Sequence, residues 1–158
     1  MVVALVFVFV VTSGCATRPS FINSTWHDPH PEIGMPGVDR VIFCPDRNGQ
    51  FATITVETKK PAESVFVIIG SKNRAMTHRG GFVWSVKIKL AELCDFAKEE
   101  GVVVYVSPCS PVTGYPGTAE YLLDLRSGRL GPYDEKRGIA QQINDLRAIS
   151  PPYVGRGS

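Results

Sequence analysis

Short stretches in which apolar and polar side chains alternate recur along the chain and limit the folds open to it. The clearest are residues 51–58, FATITVET, and 82–90, FVWSVKIKL. In the second stretch the apolar side chains share one face, whereas Ser85, Lys87 and Lys89 lie opposite, with Val83 as the exception. Since successive side chains of a strand point to opposite faces, this pattern predicts half-buried β-strands.

Other stretches are apolar at nearly every position. Residues 64–69 and 102–106 predict central strands that are covered on both faces. Residues 38–43 form a further apolar run, and 120–126 predict a strand that enters a tight turn. Residues 70–81 are rich in basic and turn-forming residues, which predicts a loop.

The period changes towards the end of the chain. In residues 134–149, apolar side chains recur at helical spacing, and two prolines follow. Residues 93–100 predict a shorter helical segment. We therefore expect a mainly β fold, either an antiparallel β-sandwich or a sheet, with one C-terminal amphipathic helix on one face.

The first residues form a separate apolar run. Residues 2–11 are wholly apolar, and no charged side chain precedes Arg18. Ten helical residues span about 15 Å, roughly half the thickness of a bilayer core. The run is therefore too short for a transmembrane helix, and its length is typical of a secretory signal peptide.

The residues that follow this run resemble a bacterial lipobox. The sequence TSGC at 12–15 matches that motif at Ser13, Gly14 and Cys15, whereas leucine is usual at the position of Thr12. The resemblance implies a signal peptide over 1–14 and lipid attachment at Cys15. It also implies a lipid anchor in the cell envelope, at the outer membrane facing the periplasm. An ordinary secretory signal, an uncleaved anchor or a buried core segment are the alternatives.

The remainder divides into three parts. We expect a Pro-rich tether over 15–37, a β-rich domain over 38–152 and a flexible tail over 153–158. Trp26 is a large apolar residue within the tether and is expected to pack on the domain. The stretch STWHDP at 24–29 is similar to the start of several small bacterial lipoprotein families, which implies a location and no activity.

The middle of the chain is similar to a glycogen-binding or isoamylase N-terminal β-sandwich. Within residues 63–90, Gly70, Met76, Gly81 and Trp84 occupy matching places. The intervening loop lacks the tryptophan on which such binders stack sugars. The resemblance implies an immunoglobulin-like shape, with carbohydrate binding as an alternative function.

Three cysteines remain if Cys15 carries lipid: Cys44, Cys94 and Cys109. Two cysteines can pair in an oxidising compartment, and Cys94 with Cys109 is the candidate disulfide. Alternatively, all three are buried thiols.

Two polar clusters are candidate sites. Lys72, Arg74, His78 and Arg79 crowd the predicted loop, which indicates either a solvated hairpin or a contact surface for an anionic partner. Residues 27–32, HDPHPE, contain metal-ligand side chains, but their prolines favour a solvated linker over a metal site.

The chain shows no nucleophile–base order, phosphate-binding glycine loop or paired carboxylates. Its net charge is +2 and its basic residues are scattered, which argues against nucleic acid as a partner. We therefore expect a lipid-anchored envelope module that binds or supports other components, without catalytic activity, cofactor or metal. Its partner would be an envelope protein or glycan. A carbohydrate-binding module and an envelope hydrolase are the alternatives.

Overall fold

A computed structural model of the chain describes residues 24–27, 36–111 and 117–149. Within these residues, ten strands and two helices confirm the mainly β class and the C-terminal helix. The strands are β1 (Ser24–His27), β2 (Val38–Pro45), β3 (Phe51–Thr58), β4 (Ser64–Ile69), β5 (Lys72–Ala75), β6 (Thr77–Gly80), β7 (Val83–Lys89), β8 (Gly101–Cys109), β9 (Ala119–Asp124) and β10 (Leu130–Pro132). The helices are α1 (Leu90–Asp95) and α2 (Ile139–Ala148).

The strands form two five-stranded antiparallel sheets. Sheet A has the order β1-β2-β3-β7-β6, and sheet B has the order β10-β9-β8-β4-β5. Phe43 and Val56 of sheet A pack with Val67 and Val104 of sheet B in one buried core. Burial of apolar surface between the two faces, at about 25 cal/mol per Å², is the main force that holds the sandwich together.

One segment passes from sheet B to sheet A. β5 and β6 flank the buried Met76 and pair with β4 and β7 respectively. The loop predicted over 70–81 is therefore wrong. Tight turns with positive φ at Gly70 (58°) and Gly81 (56°) fold these polar residues back onto neighbouring strands, and that pairing makes them strands.

Helix α2 lies on the outer face of sheet B, where Ile143 and Leu146 pack on Leu122. Two glycines let it approach the sheet backbone closely. A Cβ at Gly131 would lie 2.5 Å from Leu146 Cδ2, and one at Gly101 would lie 2.9 Å from a helix side chain. The amphipathic stripe predicted for this helix is therefore its contact surface.

A buried ion pair fixes the C-terminal end of α2. Arg147 donates to both carboxylate oxygens of Asp124, at 2.7 and 2.8 Å. Asp124 is wholly buried and also accepts from Ser127. Burial disfavours the charged carboxyl, but hydrogen bonds from Arg147 and Ser127 outweigh this and hold the pKa of Asp124 below its usual value.

One tight turn contacts both ends of α2. Glu99 and Glu100 follow β-bridge residue Lys98 with φ values of 50° and 67°, a region that non-glycine residues rarely adopt. The Glu99 carboxylate accepts from the Ala140 backbone N–H at 2.8 Å. The Glu100 carboxylate accepts from Arg147 at 2.6 Å. These contacts with the helix stabilise the strained turn.

Helix α2 begins later than the pattern at 134–149 predicts. The buried Gln142 side chain hydrogen-bonds to the backbone N–H and C=O of Asp134 and to the C=O of Arg137. These bonds hold the preceding residues in a loop, so the helix starts at Ile139.

Strand β1 lies within the segment predicted as a tether. Its Trp26 pairs in register with Val41 of β2, which brings the folded unit upstream of residue 38. The predicted signal peptide, the predicted tail over 153–158 and the predicted tether apart from residues 24–27, 36 and 37 lie outside the described residues. Neither described helix has the length and apolar character needed to span a bilayer.

Candidate functional site

The first two residues of the basic cluster are engaged in ion pairs. Arg74 donates to both oxygens of Glu92 at 2.6 and 2.7 Å, and Lys72 lies 3.4 Å from the same carboxylate. Partial burial raises the pKa of Glu92, but the charges of Arg74 and Lys72 outweigh this and leave it below its usual value. Glu92 of α1 therefore neutralises part of the predicted anion-contact surface.

The other two basic residues contact β7. Arg79 donates to Ser85 Oγ at 2.6 Å. The ring of His78 lies 4.7 Å from that of Trp84, measured between centroids. Contact with an anionic partner stays a prediction for these four residues, but the structure gives each of them an intramolecular role.

The candidate disulfide is not formed, because Cys109 has a free thiol, as does Cys44. Cys109 pairs with Ser64 at one end of β4, whereas α1 carries Cys94 near the other end. The two ends of the six-residue strand β4 lie about 16 Å apart, and a disulfide needs its Cα atoms within about 7 Å.

Trp84, one of the positions that match the β-sandwich resemblance, is not available for stacking on a sugar. Trp84 is only 8% exposed and packs in the core, so its ring offers no open face. Tyr121 is buried as well. Tyr115, Cys15 and residues 28–32 lie outside the described residues. Within the part of the chain that the structure describes, no group of His, Cys, Asp or Glu is placed to hold a metal ion.

A cavity of about 460 Å³ opens on the outer face of sheet B beside α2. Its volume lies within the range of about 300–1,000 Å³ that is usual for small-ligand sites. We call it the groove. Its lining combines aromatic, charged and aliphatic side chains with two glycines: Gly70, Asp95, Phe96, Ala97, Lys98, Gly101, Val103, Tyr105, Tyr133 and Ile139.

Local structure explains the position of each aromatic side chain. Tyr105 points outward from β8 because its neighbours Val104 and Val106 face the core. Phe96 follows α1 and lies directly over Gly70, where a Cβ would come within 2.1 Å of its ring. Tyr133 follows β10, and its backbone N–H donates to the carbonyl of Glu120 at 3.1 Å.

The groove is bordered by carboxylates. Burial raises the pKa of Tyr105, and the nearby Glu120, Tyr133 and Glu135 raise it further, so the phenol is neutral at physiological pH. Asp95 and Glu120 take no part in the ion pairs of the described residues, and neither does Glu135. Lys98 is the one cationic residue among the lining side chains.

The sequence pattern gave no signal for the groove. Its residues come from four separate segments, and none of those segments contains a binding motif. The outward position of Tyr105 within an otherwise valine-rich strand is the one local hint.

No family model matches the chain. Comparison with the curated proteins gave no match. Comparison with the solved structures gave none either.

Proposed function

We propose that the chain is a non-catalytic binding module of the cell envelope, held at the membrane by lipid on Cys15, and that it binds its ligand in the groove. The observation that carries the binding role is the cavity of about 460 Å³ with three aromatic side chains. The apolar run over 2–11 and the TSGC sequence support the location. A single diacylglyceryl group on the Cys15 sulfur would carry two acyl chains, which suffice for stable anchoring.

Mass spectrometry of the N-terminal peptide from membrane fractions tests the anchor. We expect a peptide that begins at a diacylated Cys15, and we expect Cys15→Ser to release the protein from the membrane. An unprocessed chain in the cytosol contradicts the anchor. So does a Cys15 peptide linked by a disulfide to another cysteine of the chain.

The groove is tested by NMR titration of the folded protein with a panel of envelope glycans and small fragments. We expect amide shifts to gather at Gly70, Gly101 and Lys98. Tyr133→Ala should abolish them, while the matched substitution Phe51→Ala on sheet A should not. Shifts that gather on the outer face of sheet A would place the binding surface elsewhere.

Carbohydrate binding is the second candidate, favoured by Phe96, Tyr105 and Tyr133 around one cavity. Aromatic side chains combine a broad apolar face with a polar edge, and a sugar ring presents both kinds of surface. Affinity electrophoresis in glycan-containing gels should show retardation that is lost in Tyr105→Ala and kept in Trp84→Phe. An envelope hydrolase is tested by an activity screen with Cys109 and His78 replaced.

A further inference from the structure

We propose that the groove selects a ligand carrying a positively charged ammonium group, an inference that rests on the groove being the binding site. The ligand class is a small amine or an amine-bearing sugar. Three aromatic side chains and three carboxylates in and around one cavity provide the recognition.

The aromatic lining suits a cation. Phe96, Tyr105 and Tyr133 line the same cavity from three different segments. The face of an aromatic ring carries partial negative charge, and rings around a cavity bind ammonium groups through it. Tyr105 keeps the uncharged phenol, since burial and the neighbouring carboxylates raise its pKa.

The carboxylates stand next to these rings. Glu120 pairs in register with Tyr105, and side chains at such paired positions lie about 5 Å apart at their Cβ atoms. The backbone of Tyr133 is hydrogen-bonded to Glu120, and Glu135 follows two residues later. Asp95 lines the cavity itself and comes from a different segment of the chain, the end of α1.

The carboxylates of the groove form no ion pair among the described residues. Glu57, Glu92, Glu100 and Asp145 each form an ion pair with an arginine. No described ion pair uses the three carboxylates of the groove, and Lys98 balances one of them at most. Their net negative field concentrates cations at the cavity and repels anionic ligands.

Pairs of a cationic and a neutral probe test the charge requirement. Choline is compared with its uncharged carbon isostere 3,3-dimethylbutan-1-ol, and a glucosamine tetrasaccharide is compared with its N-acetylated form. By calorimetry and NMR, we expect at least one cationic probe to bind about tenfold more tightly than its neutral partner. Preference for choline would indicate that the ligand is a small amine, and preference for the glucosamine tetrasaccharide would indicate an amine-bearing sugar. Affinity should fall as salt is raised.

Variants separate this inference from the proposed function. Glu120→Gln should weaken the cationic probe severalfold, whereas Glu63→Gln, the same charge change on an exposed residue at the far end of β4, should not. Equal binding of neutral and cationic probes in the groove, lost in Tyr133→Ala, overturns the cation selectivity and leaves the groove as the binding site. If no probe and no glycan of the NMR panel shifts the groove amides, both proposals fail.

Discussion

The two sheets share one core, but their outer faces differ. Sheet B carries α2 on its outer face, and the groove lies beside that helix. Within the described residues no helix covers sheet A, whose outer face presents half-exposed side chains such as Thr53 and Thr55. A flat strand face offers no concave surface by itself. The second layer on sheet B therefore creates the recess.

The two sheets also differ in how far their ion pairs are exposed to solvent. On sheet A, Arg40 and Glu57 form a cross-strand ion pair whose side chains are 40% and 31% exposed. On sheet B, the Asp124 side chain that receives Arg147 is 0% exposed. Exposed pairs contribute about 0–1 kcal/mol, whereas removal of one partner from a buried pair costs about 3–5 kcal/mol.

Arg147→Ala should have the largest effect on stability. It leaves the buried Asp124 carboxylate without its cation, so we expect the free energy of unfolding to fall by about 3–5 kcal/mol. Arg40→Ala on sheet A is the comparison and should lower it by about 0–1 kcal/mol. Urea unfolding followed by circular dichroism measures both. Equal losses would remove the distinction between the two faces.

Low pH should remove part of the stabilisation that the ion pair between Asp124 and Arg147 provides. The pKa of Asp124 is lower in the folded state than in the unfolded chain, so the unfolded state binds more protons as the pH falls. The stabilisation is therefore complete above about pH 4 and is lost below it. Urea unfolding at pH 7 and pH 3 should show a smaller acid loss in Arg147→Ala than in the unmodified protein. An identical loss in both would contradict the assigned role of Asp124.

Gly131→Ala tests the close contact between α2 and sheet B. The new methyl group would lie 2.5 Å from Leu146 Cδ2, and overpacking of this kind costs about 1–3 kcal/mol. Gly138→Ala is the matched control, because its Cβ would meet nothing within 4 Å. Thermal melts should show a lower transition temperature for the first variant alone. Similar transition temperatures would mean that the helix can move away without loss.

Glu92→Gln should have the smallest effect on stability, since the side chains of its partners Lys72 and Arg74 are 47% and 36% exposed. It leaves two cations without their partner and should increase retention on a heparin column. Glu63→Gln controls for the change in net charge. Equal retention of the two variants would show that Glu92 does not mask an anion-binding surface.

Sequence patterns predicted the strands in which apolar side chains follow a regular pattern. They failed where pairing with neighbouring strands determines the secondary structure. Strands β3 and β4 match the predictions for 51–58 and 64–69 in both bounds, because alternating or continuous apolar side chains end at turn residues. Strands β5 and β6 consist mainly of polar residues, and their neighbours in the sheets make them strands. The late start of α2 depends on Gln142, whose hydrogen bonds with the loop are not apparent from the apolar period.

The candidate site was less accessible to prediction. The basic cluster is recognisable in the sequence, but its neutralisation by Glu92 depends on a contact across 18 residues from Arg74. The groove depends on the distance between α2 and β8, and the chain forms β9 and β10 between these two elements. Tyr105 and Tyr133 meet at that cavity only after β9 and β10 have paired.

The turn that contains Glu99 and Glu100 has a consequence for ligand entry. Glu99 and Glu100 accept hydrogen bonds from opposite ends of α2, so the helix cannot shift along its axis without breaking both bonds. Ile139, at the first turn of this helix, forms one wall of the groove. Because this wall is fixed at both ends of the helix, the recess should keep its width, and under the proposed binding role the size of a ligand would decide whether it fits.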